Sequence, residues 1–210
     1  MTSVAAVERT ALCDLFLAVG PDAPTLCEGW TTRDLAAHLV VRERRPDGAA
    51  GIVIGPLSSY GEKVRLAEAD RPWDELVGRV REGPPWWNPA RLEPVDRLVN
   101  GLEFFVHHED VRRAQPEWAL RRLDPDVEDA LARAVSGAGR LLSRKAGVGI
   151  TIEPDGREPI RLRKGPPDVL IRGPIGECVL YVHGRKSAAR VELDGPPDAV
   201  ARLEAAPLGL

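Results

Sequence analysis

The segment VDRLVNGLEFFVHHEDVRRA, Val95 to Ala114, decides how the chain is read. At about 100° per residue, Val95, Val99, Leu102 and Val106 line one face of a helix. Glu103 falls within about 60° of Val106, and His107 lies about 40° beyond Glu103, so both point toward the apolar side at the i, i+4 spacing that stacks side chains. Ionisable groups there are expensive unless something compensates them. A satisfied ion pair between Glu103 and His107 is one solution, and a shared divalent cation is another. Asp110 returns to within about 20° of Glu103, which suits an acceptor that holds a ligand ring in orientation. His108 is rotated about 100° from His107 and is expected to face another surface, dispensable for a metal.

A cation needs a third ligand, and His38 and His183 are the remaining histidines. His38 sits in TTRDLAAHLVV between Leu35 and Leu39, on the inner side of its own helix, with Ala36 and Ala37 allowing close approach. His183, in YVHGRK, lies in a strand-like segment and reads as a half-buried structural residue. His38 is therefore the candidate.

Outward from this segment the chain is helical in period to about Ala146. The candidate helices are VAAVERTALCDLFLAV, TTRDLAAHLVVRERR, SYGEKVRLAEA, RPWDELVGRVREG, the opening segment and DVEDALARAVSGAGRLLSRKA. Thr31 is placed to cap the second, with Asp34 at its third position, and Trp30 before it reads as a hydrophobic staple. Pro72 and Pro125 stand where a first helical turn accepts proline. After Gly147 short Val- and Ile-rich runs, GITIEP, PIRLRKG, VLIRGP, CVLYVHG and ARVELDG, alternate with turn residues, and a last helix, PPDAVARLEAA, follows. The expected fold is α+β: an up-and-down helical bundle over residues 1–146, then a small α+β domain over 147–210.

Composition narrows the function classes. The net charge of -3 offers no general attraction to phosphate backbones, and the Arg42, Arg44, Arg45 cluster, broken by Glu43 and followed by Asp47, reads as a solvated helix end. No nucleic-acid partner is expected. The chain holds no apolar run of membrane-spanning length, and Glu8, Arg9 and Asp14 interrupt any signal-like region, so no membrane partner and a cytoplasmic location are expected. Cys13, Cys27 and Cys178 show no CxxC spacing and read as small buried apolar residues. Lysine occurs only at positions 63, 145, 164 and 186, an arginine bias typical of a GC-rich genome. Nothing in the pattern speaks to oligomeric state.

GWTTRDLAAHL, Gly29 to Leu39, and LEFFVHHEDVRRA, Leu102 to Ala114, resemble the two signature segments of the mycothiol-dependent maleylpyruvate isomerase family, its uncharacterised metal-binding members in particular. GPIGECVLYVHGRKSAARVELDGPPDAVARLEAA resembles that family's small C-terminal domain, so the likeness spans nearly the whole chain. It implies a DinB-like four-helix bundle followed by a domain shaped like sterol carrier proteins. It also implies a divalent metal, typically zinc, on His38, Glu103 and His107, the three residues that helical geometry brings together.

Three protein ligands and one open position describe a catalytic zinc site, holding a water or a thiolate. The implied cosubstrate is mycothiol, a low-molecular-weight thiol, whose activated sulfur adds to a small electrophile transiently for isomerisation or permanently for S-transfer. The protein itself offers no general base. Arg185 and Arg190 are candidate cations for an acidic substrate, and Trp86 and Trp87 candidate pocket walls or packing at the bundle end. Two other readings use the same residues: a non-catalytic binder of metal and a small ligand, and a ferrous facial triad of two histidines and a carboxylate.

Overall fold

The computed structural model describes residues 3–48, 58–88 and 93–209, with residues 93–99 described as helix backbone only. Val95 and Val99 of the expected apolar face therefore lie outside the described side chains. The chain divides into two compact units, Met1–Leu120 and Arg121–Leu210.

The first unit is helical: α1 (Val4–Val19), α2 (Thr32–Arg44), α3 (Ser58–Ala69), α4 (Trp73–Glu82) and α5 (Glu93–Arg112). Local chemistry sets the starts. The Ser3 hydroxyl accepts the Ala6 N–H at the head of α1. Thr31 and Asp34 form a reciprocal capping box at the head of α2, with the Thr31 N–H donating to Asp34 Oδ2 at 3.0 Å. Gly29 just before it has φ +75, a left-handed conformation that costs a glycine little. Leu12 and Phe16 of α1, Leu35 and Leu39 of α2, Leu76 of α4 and Phe104 of α5 are all fully buried in one core. Each such side chain contributes about 1.5–3 kcal/mol by leaving water. α1 lies along α5 and α4, and α2 lies along α3 and α4. Ala36 and Ala37 are fully buried, as their small size allows.

Polar groups also enter this interior. Glu43 is buried and takes both guanidinium nitrogens of Arg9 at 2.6 Å, while Arg9 also donates to the Val80 carbonyl and lies over the Phe104 ring. The expected solvated helix end is thus only half right. Arg44 and Arg45 pair with Glu82 and Asp47, but Glu43 turns into the core and Arg42 toward α5.

The second unit contains α6 (Pro125–Leu142), β1 (Gly149–Pro154), β2 (Ile160–Arg163), β3 (Asp168–Gly173), α7 (Ile175–Val182), β4 (Glu192–Asp194) and α8 (Pro197–Ala205). Its sheet has the order β2-β1-β3-β4, with β1 and β3 parallel and the outer pairs antiparallel. Ile150, Ile152, Val169 and Ile171 are fully buried apolar residues of the two central strands. Lys186 closes the end of α8, donating to the Leu203, Glu204 and Ala206 carbonyls.

Two expectations change here. The helix Pro125–Leu142, expected as the last of the bundle, packs on β2 and α7, so the compact units part at Leu120/Arg121 rather than at Ala146/Gly147. The close fit is visible at Gly139, where a Cβ would come within 2.5 Å of Leu162 Cδ2. Amphipathic period shows that a helix has a buried face, but not which partner covers it. CVLYVHG, expected as a strand, instead supplies Cys178–Val182, the second half of helix α7, whose residues are all buried. A short unbroken apolar run carries no period that separates strand from wholly buried helix.

Candidate metal centre

α2 carries His38 and α5 carries Glu103 and His107. His38 Nε2 and His107 Nε2 converge on the same carboxylate oxygen, Glu103 Oε1, at 3.5 and 3.2 Å. The two imidazole rings meet edge to face, 5.5 Å between centroids. The i, i+4 spacing on α5 supplies two of these groups, and the close approach of α2 supplies the third.

Behind this triad lies a layer that fixes it. Asp110, with no solvent exposure, faces His107 Nδ1 at 2.9 Å from Oδ2. Arg42 Nε lies 3.3 Å from Glu103 Oε1, and its Nη1 donates to Asn100 Oδ1. Asn100 in turn donates to Glu43 at 3.4 Å, linking the site to the buried Arg9 pair. His108 takes no part: it turns to Glu8 of α1, with Nδ1 2.7 Å from Oε2.

Burial alone would push the Glu103 carboxyl up, but hydrogen bonds from His107 and His38, together with the Arg42 charge, hold it well below the usual range. Burial alone would lower His107, but Asp110, Cys27 and Glu103 outweigh it and raise it well above the usual value. Burial lowers His38, against the pull of Glu103. The geometry explains the tension. An ionised carboxylate only accepts, so Asp110 calls for a proton on His107 Nδ1, and Nε2 then faces another acceptor, Glu103 Oε1. A positive charge between those atoms resolves it: either an imidazolium proton or a metal cation.

The donor set fits a divalent cation such as zinc. Two imidazole nitrogens and one carboxylate oxygen lie within 4.8 Å of one another, with a carboxylate holding the far nitrogen of one ring. A second group of that kind, Cys27, His107 and Asp110, shares His107 through its other nitrogen.

The surroundings differ in part from the sequence reading. A cavity of about 240 Å³ opens beside His38, lined by Trp30, His38, Val41, Ser58, Gly61, Glu62 and Arg65. Trp30, expected to staple the helix, does pack on the core, and its ring also lies 5.2 Å from the His38 ring. Arg65 stacks on the Trp30 ring and is held by Asp34 and Glu62. Trp86 and Trp87 are 84% and 46% exposed and do not line this cavity, and Trp86 packs under no bundle end. Arg185 and Arg190 belong to the second unit. The Arg185 guanidinium donates to the His183 carbonyl, and the Arg190 main chain donates to Glu177. His183 ends α7, with Nδ1 2.7 Å from the Val179 carbonyl, so it is a helix-end residue rather than a strand residue. Periodicity gave no sign of Cys27, whose nearness to GWTTRDLAAHL was the only available signal, whereas Arg42 stands four residues beyond His38 on α2, a spacing that places the two side chains together.

A helical unit carrying a two-histidine, one-carboxylate cluster, followed by a unit of helices and mixed sheet, is the class of protein defined so far. Two solved structures share this fold over nearly the whole length. The crystal structure of the mycothiol-dependent maleylpyruvate isomerase has 15% sequence identity and a TM-score of 0.59, covering 92% of this chain and 96% of that one. The structure of a histidine-to-alanine mutant of that isomerase has 14% identity and a TM-score of 0.53, over the same shares of both chains. No family model and no curated protein matches the sequence. At this identity the likeness is one of fold. Among the described residues no helix is long and apolar enough to cross a membrane.

Proposed function

We propose that the protein is a zinc-dependent enzyme that brings a low-molecular-weight thiol, mycothiol in the first instance, to a small electrophile for isomerisation or S-transfer. The observation that carries this reading is the convergence of His38 Nε2, His107 Nε2 and Glu103 Oε1, with Asp110 behind His107. The shared fold with a mycothiol-dependent isomerase supports it, and under this reading the two units correspond to the family's DinB-like bundle and sterol-carrier-like domain.

His38, Glu103 and His107 would hold the cation, leaving a position open for the substrate. Bound there, a divalent metal favours the thiolate form of an incoming thiol at neutral pH. The protein's part is orientation and shelter. Asp110 keeps His107 turned so that Nε2 faces inward, and Arg42 keeps the Glu103 carboxylate from swinging out. Trp30 gives the adjoining cavity a rigid apolar wall, and 240 Å³ suits a small substrate rather than a polymer.

One feature favours the rival reading, a non-catalytic metal- and ligand-binding protein. Each ionisable group around the centre is already tied to a partner: Glu103 to two histidines and Arg42, His107 to Asp110, and Arg65 to Asp34 and Glu62. Among the described residues, none of these groups stands beside the centre as an unpaired base. Metal analysis and turnover separate these readings. The purified wild type is expected to carry one equivalent of zinc and His107→Ala to lose it; a full equivalent retained by the variant would overturn the ligand assignment. Metal-loaded protein given mycothiol and a panel of electrophiles should consume one of them, whereas turnover of none favours the binder.

A further inference from the structure

We propose that Cys27 is a positioning residue of this centre, its thiol holding Asp110 so that Asp110 holds the His107 ring; the inference rests on the metal reading above. Cys27 Sγ donates to Asp110 Oδ2 at 3.2 Å, the same oxygen that faces His107 Nδ1 at 2.9 Å. A carboxylate with no access to water depends on such donors to stay ionised and in place. A thiol is a weak donor, and an ionised carboxylate is the acceptor that strengthens such a bond most.

The thiol is delivered to that spot by the main chain. The Leu26 N–H donates to the Asp110 carbonyl at 3.0 Å, so the loop before α2 is pinned to α5 one residue from the thiol. The Cys27 N–H donates to Thr25 Oγ1, and the Trp30 N–H to the Cys27 carbonyl, closing a tight turn. Cys13 and Cys178 are in contrast deeply buried, and burial pushes their thiols up to about 11 and about 12.

The geometry favours a supporting role over direct ligation. Cys27 Sγ lies 4.0 Å from His107 Nδ1, whereas the other ring nitrogen, Nε2, faces Glu103. A cation shared by Cys27 and His107 would have to use Nδ1, which Asp110 already occupies.

The test is cobalt and zinc titration of the full-length wild type, Cys27→Ala, Cys27→Val and Cys27→Ser, with circular dichroism confirming the fold of each. Outer partners of a metal-bound histidine typically change affinity 10–100-fold, so Ala and Val should bind about tenfold more weakly. Serine restores a donor to Asp110 and should bind more tightly than the alanine variant, with a loss smaller than about tenfold. The cobalt protein should show no thiolate-to-cobalt charge-transfer band. Equal affinity across all four proteins overturns the proposal, as does a serine variant as weak as alanine. A charge-transfer band in wild type that vanishes in Cys27→Ala would also overturn it, making Cys27 a ligand. A wild type that takes up neither metal would instead overturn the metal centre itself. If Cys27→Ala alone loses its fold, Cys27→Val carries the comparison.

Discussion

His107 and His108 are neighbours in the chain whose imidazoles face opposite partners, one toward Glu103 and Asp110, the other toward Glu8. Their substitutions should therefore fail in different ways. His108→Ala leaves the Glu8 carboxylate buried without its imidazole partner, and is expected to cost about 3 kcal/mol of stability while keeping a full equivalent of metal. Denaturant unfolding paired with metal analysis would check both halves. The split between the two histidines was legible in the sequence, because a rotation of about 100° per residue turns adjacent side chains apart. The approach of His38 to the pair is also what its helical face implies. Cys27 was not legible, because its bond to Asp110 joins a loop to a helix 83 residues away, where no period operates.

At the scale of the element, α2 carries both His38 and Arg42, and its start is set by Thr31 and Asp34. Burial would raise the Asp34 carboxyl, but the Thr31 N–H and Arg65 more than offset it and hold it below its ordinary value of 3.8. A carboxylate with a lowered folded-state pKa stabilises fully above its unfolded value, and that contribution is lost as pH falls through the folded one. Asp34→Ala should cost about 1 kcal/mol at pH 7, a typical capping loss. The gap between the two melting curves should close as pH falls below that ordinary value. A gap unchanged in acid would assign Asp34 a packing role instead. Helix starts of this kind are legible because capping is local. The misread of CVLYVHG shows the limit: Ile175–Val182 has no exposed face to mark its period.

For the whole molecule, residues 118–124 join the two compact units without helix or strand, and Leu120 there is 56% exposed. The turn after α6 is held instead by Ser143 to Gly139, Arg144 to Leu141 and Ala146 to Ser143 hydrogen bonds. Limited trypsin digestion should therefore cut first after Arg121 or Arg122, not after Arg144 or Lys145, as mass spectrometry of the fragments would show. First cleavage in the later turn would restore the division near Ala146. Helices followed by a sheet were legible as textures; the allegiance of α6 was not, because only its partners β2 and α7 reveal it. The candidate centre lies entirely within the first unit, yet it is assembled from distant chain: His38 meets Glu103 across 65 residues, and Cys27 meets Asp110 across 83. Contacts of that separation form only after the intervening loops have closed. A growing chain thus cannot build the site until α5 has been made and has docked beside α2, and metal uptake would then report that the helical unit has finished folding.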